Sequence, residues 1–432
     1  MKTLKILVLS LLVGVVLTLA VKRLSSIFNL KPPASVSTAE AATSKIDQRI
    51  LRAQQAIGRM PAKSDGYNQL ASAYMQKARE SGDLDFNAKA DATITQSLAI
   101  EPDNYDALKL RAKLQLTYHR FAEALETAHR AQRFRTDDAD VWGQMTDALV
   151  ELGDYPGAVK SAQKMVDLRP DSSAYARISY LRSLHGDING AIEAMKAAVQ
   201  AANPNDPEAV AWCRVQLGNE LMNAGKLDVA EQEFDEALLT FADHHLALQA
   251  KARARVAAGD LQGAVQIYKR QREKAPSADV AQALGELYTL LGRADAAKNE
   301  YETFESLERE NAAIERSWRH MVNYWLDHDA NLEESLRLAT VEYESRKDIF
   351  TCDSQAWALF KNGRVEDAKK VIDEALRTGT KDARINFHAA TIYKALNLRD
   401  KASQHLEFAV RLNSSFDPVQ MDSAKKMLAE LE

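Results

Sequence analysis

Two clusters in this chain have side chains of the types that do chemistry. Asp243, His244 and His245 stand together, and His320, Tyr324 and His328 recur along one stretch with Asp327 and Asp329 beside them. Imidazoles and carboxylates at close quarters bind metal ions or move protons. The first cluster falls between two helical stretches, where Asp243 is expected as a cap and the histidines as solvated loop residues. In the second, His320 and His328 share a helix face but lie two turns apart, about 12 Å by helix rise, too far for one ion. Neither reads as a site. Cys213 and Cys352 lie far apart, each inside a helical stretch, with no metal-ligand spacing and no disulfide framework. They read as small buried apolar residues. The sequence contains no nucleophile elbow, phosphate-binding loop, dinucleotide glycine fingerprint or His-Glu-x-x-His. The expectation is a non-enzyme, with no catalytic, cofactor-binding or metal-binding residues.

The elements that carry these residues are short amphipathic helices. Trp142, Met145, Thr146 and Leu149 recur at helical spacing before Gly153-Asp154-Tyr155, and Ala158 and Ala162 follow before Pro170. One such hairpin cannot bury its own apolar face, so it must stack on copies of itself. Taking Ala158 as a marker, equivalents stand at Ala90, Ala124, Ala191, Ala230, Ala264, Ala297, Ser335, Ala368 and Ala402. The steps are 33 or 34 residues, except 39 before Ala230 and 38 before Ser335. Helix axes pack about 8 to 10 Å apart, and only a small residue permits that approach. Gly153, Gly186, Gly225, Gly259, Gly292 and Gly363 fall where each first helix must end with positive φ. His119, Ala330 and Asn397 replace glycine elsewhere, so the repeat around Ala330 is expected to have the least regular turn.

A period of about 34 residues, with Leu284-Gly285, Tyr288, Ala297 and Tyr301 and again Leu217-Gly218, Ala230 and Phe234, resembles the tetratricopeptide repeat family. The resemblance implies an all-α fold, a right-handed superhelical solenoid of about ten helix-turn-helix repeats with amino- and carboxy-terminal capping helices. A capping helix is expected over 44–61, repeats one to seven over 65–310, repeats eight to ten over 311–417 with the first divergent, and a second cap over 418–432. Extra residues fall at Lys77 to Phe86, Asn203 to Pro207 and Ser306 to Arg316. The runs Lys77 to Asp83, Tyr175 to Arg182 and Ala356 to Arg364 are similar to a subgroup of bacterial tetratricopeptide proteins with no assigned activity.

What that family implies about function is a concave groove, lined by the first helices, that binds peptides or protein segments. Its inward positions here would be Lys109 and Lys113, Gly143 and Asp147, Ala176 and Tyr180, Val215 and Asn219, Gln249 and Arg253, Gln282 and Glu286, His320 and Tyr324, Asp353 and Trp357, Phe387 and Thr391. From these the expected peptide-binding residues are Tyr180, Asn219, Gln249, Arg253, His320, Tyr324, Trp357 and Phe387, the aromatic ones because rigid rings give contact area at low entropic cost. Relatives that bind chaperone tails use Lys and Asn, then Asn, then Lys and Arg. Asn219 and Arg253 match two of those places, but Ala176, Tyr180 and Gln249 occupy others, so the charged fork for a terminal carboxylate is incomplete.

Composition agrees with a folded helical chain: 46% hydrophobic and 27% charged over 432 residues, a length a solenoid reaches by adding units. A net charge of −5 gives no basis for a nucleic-acid partner, and the basic runs Lys251 to Arg255 and Lys269 to Lys274 read as solvated helix faces. At the amino end, residues 6–21 form an apolar run between Lys2 and Lys5 and Lys22 and Arg23. Sixteen residues exceed a usual signal core and fall short of the ~20 that span a bilayer. The flanking basic residues favour a retained signal anchor within 1–25, followed by a flexible linker over 26–43. The alternative is a signal peptide cleaved near Ala20, leaving a secreted protein. The expected reading is a membrane-tethered scaffold with its repeats outside the cytoplasm, which is the periplasm if the source is a double-membrane bacterium. A cytoplasm-facing adaptor resembling co-chaperones and a self-assembling structural protein are the other readings. The partner's identity is not legible in the sequence.

Overall fold

A computed structural model describes residues 44–315, 317–412 and 418–431. The apolar run and the linker expected over 26–43 lie outside the described residues. From Ile46 onward the chain forms one unit. Among the described residues there are twenty-two helices and no strand, and none of these helices is long and apolar enough to cross a membrane.

Helix α1 (Lys45–Arg59) buries Ile46 and Ala53. Ile57 lies against Gly66, where a Cβ would come within 2.9 Å of it. Ten hairpins follow. They are α2 (Ser64–Ser81) with α3 (Asp85–Ile100), α4 (Tyr105–Thr117) with α5 (Phe121–Gln132), α6 (Ala139–Glu151) with α7 (Tyr155–Leu168), and α8 (Ser172–Leu184) with α9 (Ile188–Ala201). Then come α10 (Pro207–Asn223) with α11 (Leu227–Thr240), α12 (His245–Ala257) with α13 (Leu261–Lys274), and α14 (Ala278–Leu290) with α15 (Ala294–Glu315). The last three are α16 (Arg319–Asp327) with α17 (Leu332–Ser345), α18 (Ile349–Lys361) with α19 (Val365–Ala375), and α20 (Ala383–Ala395) with α21 (Arg399–Leu412). Helix α22 (Pro418–Leu431) closes the array, with Ala424 packed in the cluster of Phe387, Leu406 and Ala409.

The three insertions lengthen helices more than loops. The first extends α2 to 18 residues, the second gives a 17-residue α10 after a short loop, and the third draws α15 out to 22 residues ahead of a nine-residue α16. Local chemistry explains the hairpins. Asp154, Asp187 and Asp260 each follow a turn glycine and accept the N–H of the residue three on, Gly157, Gly190 and Gly263. Such caps contribute about 1 kcal/mol each. All six turn glycines have positive φ, as do His119 (53°) and Asn397 (58°). The eighth repeat departs as expected: the left-handed residues are Asp329 and Asn331, on either side of Ala330.

Every marker residue is buried, from Ala90, Ala158 and Ser335 at 0% exposure to Ala297 at 4%. Glycine serves the same need inside α10 and α14. A Cβ on Gly285 would fall 2.6 Å from the Tyr301 ring, and Gly218 faces Phe234 in the same way.

The array also closes on itself. Intra-repeat turns from the first four hairpins dock on the junctions between later ones. His245 Nε2 lies 3.1 Å from the carbonyl oxygen of Arg79, and the Lys347 amide donates to the Glu151 carbonyl at 3.3 Å. The Ile349 amide donates to the Tyr155 hydroxyl at 3.0 Å. A Cβ on Gly153 would sit 2.5 Å from the Lys347 carbonyl oxygen, and one on Gly186 would strike the Gly379 carbonyl. The turns at Gly259, Gly292 and Gly363 have nothing that close. One apolar cluster runs across the seam, joining Val150, Tyr155, Leu181 and Leu184 to Ile349, Cys352, Ile385 and Tyr393. The solenoid is therefore a coil whose successive turns touch, rather than an open arc.

Candidate functional site

Closure of the coil brings charged side chains of several first helices within electrostatic reach of one another. Lys113 of α4 feels Arg79 of α2, Asp140 of α6, Arg177 of α8 and Glu208 of α10, yet it is exposed to water. His119, itself exposed, feels the surrounding protein first and then Arg346, Arg319 and His320, which lower its pKa to about 4 against the opposing charge of Asp348. Charged side chains of several first helices thus act on one another across the array.

Most of those charges are engaged. Lys109 reaches Asp138 at 2.9 Å and Asp140 at 3.1 Å. Arg177 lies over Gly143, where a Cβ would fall 3.1 Å from its guanidinium carbon. From there it grips Asp147 with Nε at 2.8 Å and Nη2 at 2.6 Å and donates to the Gly143 carbonyl at 3.1 Å. Two parallel bonds of this kind fix both partners. Glu208 takes Arg79 at 3.5 Å, with His244 at 4.0 Å.

Of the eight residues expected to contact a peptide, five are exposed or partly exposed. Tyr180 is 40% exposed, and burial of its hydroxyl, with Glu151 and Asp348 nearby, lifts its pKa well above the usual tyrosine value. His320 has 57% of its side chain open between Asp279 at 3.8 Å and Glu308 at 3.9 Å, and Glu308 foremost raises its pKa. Arg253 is exposed, Gln249 approaches Asp279 at 3.5 Å, and Asn219 is half-buried.

The other three pack instead. Tyr324 (8% exposed) lies among the rings of Tyr301, Phe304 and His328, at 5.3, 4.8 and 4.4 Å. Trp357 (6%) stacks on His388 at 4.1 Å. Phe387 (5%) belongs to the last apolar cluster with Leu406. In the later repeats these positions carry rings large enough to fill the interval between hairpins, so burial outweighs display.

His244 is a second correction. It was expected in a solvated loop, but it is fully buried and caps α12, accepting the Ala247 amide at 3.3 Å. Asp243 beside it has φ of 60° and pairs with Arg270 and Lys274. Cys213 and Cys352 are free and buried. Among the described residues no group of three or more His, Cys, Asp or Glu is placed to hold a metal ion.

Sequence reading missed the ionic knot at the seam. Arg346, 5% exposed, pairs with Glu151, with Glu342 at 3.0 Å and with Asp348 at 3.2 Å, and its guanidinium lies over Phe121. It also missed the buried pair of His388 and Asp353, 2.9 Å apart. A shallow cleft of about 780 Å³ runs along α15, with Tyr301 and Tyr324 in its lining.

Profiles of the tetratricopeptide repeat match residues 215–279 and 278–311, across hairpins five to seven. The chain therefore carries tetratricopeptide repeats. A pentatricopeptide repeat-containing protein of Arabidopsis thaliana is 26% identical over 117 residues, 27% of this chain. The match spans 21% of that relative's length. Among solved structures, the human IFIT1 dimer with m7Gppp-AAAA is similar with a TM-score of 0.49 and 13% identity, over 76% of each chain. A tetratricopeptide repeat protein from Parabacteroides merdae gives 0.40 and 15%, over 57% of this chain and 99% of that one. The Cut9-Hcn1 hetero-tetramer gives 0.39 and 11%, over 90% and 97%.

Proposed function

We propose that this repeat protein is a non-enzymatic scaffold that holds an extended protein segment inside its coil. The carrying observation is that Tyr180, Arg253 and His320, on first helices, keep open surface, while the turns at Gly153 and Gly186 close against Lys347 and Gly379. A folded domain cannot lie in a closed coil as it could in an open arc, whereas a single extended chain can. Extended segments gain affinity from a preformed cavity that has no ordering cost of its own.

Residues 6–21 are proposed to tether the scaffold to a membrane with the repeats outside the cytoplasm. The support is the apolar run and the basic residues that flank it.

A photo-crosslinking residue placed at Tyr180, compared with one at Lys298, tests the binding reading in intact cells. Lys298 stands on the outer helix α15 with 75% of its side chain exposed. A defined protein adduct from position 180 and none from 298 is expected; adducts from 298 alone would refute the reading. Deleting residues 1–25 is expected to move the protein from the membrane to the soluble fraction, and retention in the membrane would refute the tether.

A further inference from the structure

We infer that the seam of the coil is acid-sensitive: protonation of the histidines set along it loosens the docked turns while the hairpins themselves stay folded. This holds whatever the interior contains. Of the nine histidines in the chain, His119, His185, His244 and His245 stand where the first four turns meet later hairpins.

At the first turn, His245 Nε2 lies 3.1 Å from the Arg79 carbonyl oxygen, and its ring is 3.7 Å from where a Cβ on Gly82 would stand. The same ring stacks on His244 at 5.6 Å. His244 is fully buried, and its Nδ1 accepts the Ala247 amide, which places its proton on Nε2, 4.0 Å from Glu208. Glu208 is already engaged by Arg79 at 3.5 Å. A charged His245 thus stands against a second imidazole, and a proton on His244 Nδ1 breaks the cap of α12. Lifting the turn away returns the His245 ring to water. Burial first, and then His244, hold the pKa of His245 below its ordinary value, although the Arg79 carbonyl and Glu208 favour the proton.

At the second turn, His119 stacks on Phe121 at 5.6 Å, and the Arg346 guanidinium covers that ring at 4.7 Å. Asp348, which favours a proton on His119, is shared between Arg346 at 3.2 Å and Arg319 at 3.5 Å. His320 adds positive charge on the same side. At the third and fourth turns, His185 meets the Tyr155 ring edge-on at 5.8 Å, and the Tyr155 hydroxyl takes the Ile349 amide across the seam.

His119 and His245 bind protons more weakly when docked than when free. Their support for closure is therefore complete above about pH 6.5 and is lost as pH falls below it. For His119, held at about 4 against an ordinary 6.5, closure weakens about eightfold between pH 7 and 5.5. Glu151, which pairs with Arg346 across the same seam, has its pKa raised by burial foremost and works in the opposite sense. The apolar cluster that spans the seam does not titrate, so acid changes how often the seam opens and leaves the hairpins intact.

Native-state amide exchange on the full-length protein reads this opening. The amides of Lys347 and Ile349 are bonded across the seam, whereas that of Leu291 is bonded inside the seventh hairpin, beside the undocked turn at Gly292. Between pH 7 and 5.5, after correction for intrinsic exchange, protection at Lys347 and Ile349 is expected to fall on the order of tenfold. Protection at Leu291 should not change. His119→Asn combined with His245→Gln should abolish the fall, and Glu151→Gln should deepen it. A fall of less than about twofold in wild type, an equal fall at Leu291, or an undiminished fall in the double variant overturns the inference. Should the double variant have no cooperative Tm at pH 7, His119→Asn alone decides: it must remove most of the fall, and an undiminished fall overturns the inference.

Discussion

Gly153 and Gly259 occupy the same place in their repeats, with φ of 80° and 81°, and replacing each by alanine should have different consequences. At Gly259 nothing lies within 4 Å of the new Cβ, so the cost is that of a left-handed alanine, about 1 kcal/mol. At Gly153 the same strain applies, but the Cβ would also fall 2.5 Å from the Lys347 carbonyl oxygen and 2.8 Å from Arg377 Nη2. The carbonyl is backbone and cannot swing aside, so the seam must part. Forcing a methyl into packed structure adds about 1 to 3 kcal/mol. The amide of Lys347 and the Tyr155 hydroxyl bond that cross the same seam are then strained or lost. Gly153→Ala is therefore expected to cost about 3 kcal/mol in urea unfolding, against about 1 for Gly259→Ala. Small-angle scattering should show a larger radius of gyration for Gly153→Ala only. Equal losses within about 0.5 kcal/mol, with unchanged radii, would refute the claim that the coil is closed by this turn.

Glu151→Gln should remove one of three carboxylates around Arg346 and, because Glu342 and Asp348 keep the guanidinium paired, cost only about 1 kcal/mol; a loss of about 3 kcal/mol or more in urea unfolding, on the order of an uncompensated buried charge, would contradict this. Ala158→Leu, at a site with 0% exposure between hairpins and beside the seam cluster, should destabilise by about 1 to 3 kcal/mol, read as a fall in Tm. His119 has a folded pKa of about 4, below its ordinary value near 6.5, so folding releases its proton. Its contribution is complete above about pH 6.5 and is lost as pH falls toward 4. His119→Asn, which tolerates the positive φ of that residue, should flatten the stability profile in that window, as measured by unfolding at a series of pH values.

The repeat spacing, turn positions and insertions were legible because each is set by residues within about 40 positions of one another. Ala158, Gly153 and Asp154 act on neighbours in their own hairpin, and their types announce what they do. The seam was not legible. Glu151 and Arg346 are separated by 195 positions, and nothing beside Gly153 distinguishes it from the undocked Gly259. Helical spacing gives the phase of a side chain but not the curvature of the array, and curvature decides what an inward position meets. Hence Tyr180 and His320 keep exposed surface, while Tyr324, Trp357 and Phe387, expected in equivalent phase, are consumed by packing. His244 misled because an Asp-His-His run looks like solvated loop, whereas the junction folds over it.

The unequal treatment of the turns divides the chain for anyone wishing to modify it. A fluorophore, epitope or inserted loop at Gly292 or Gly363 would project into empty space and leave the array undisturbed. The same graft at Gly153 or Gly186 would act as a wedge. Such grafts could hold the coil ajar at will, which would turn entry of a guest chain into a variable an experimenter can set.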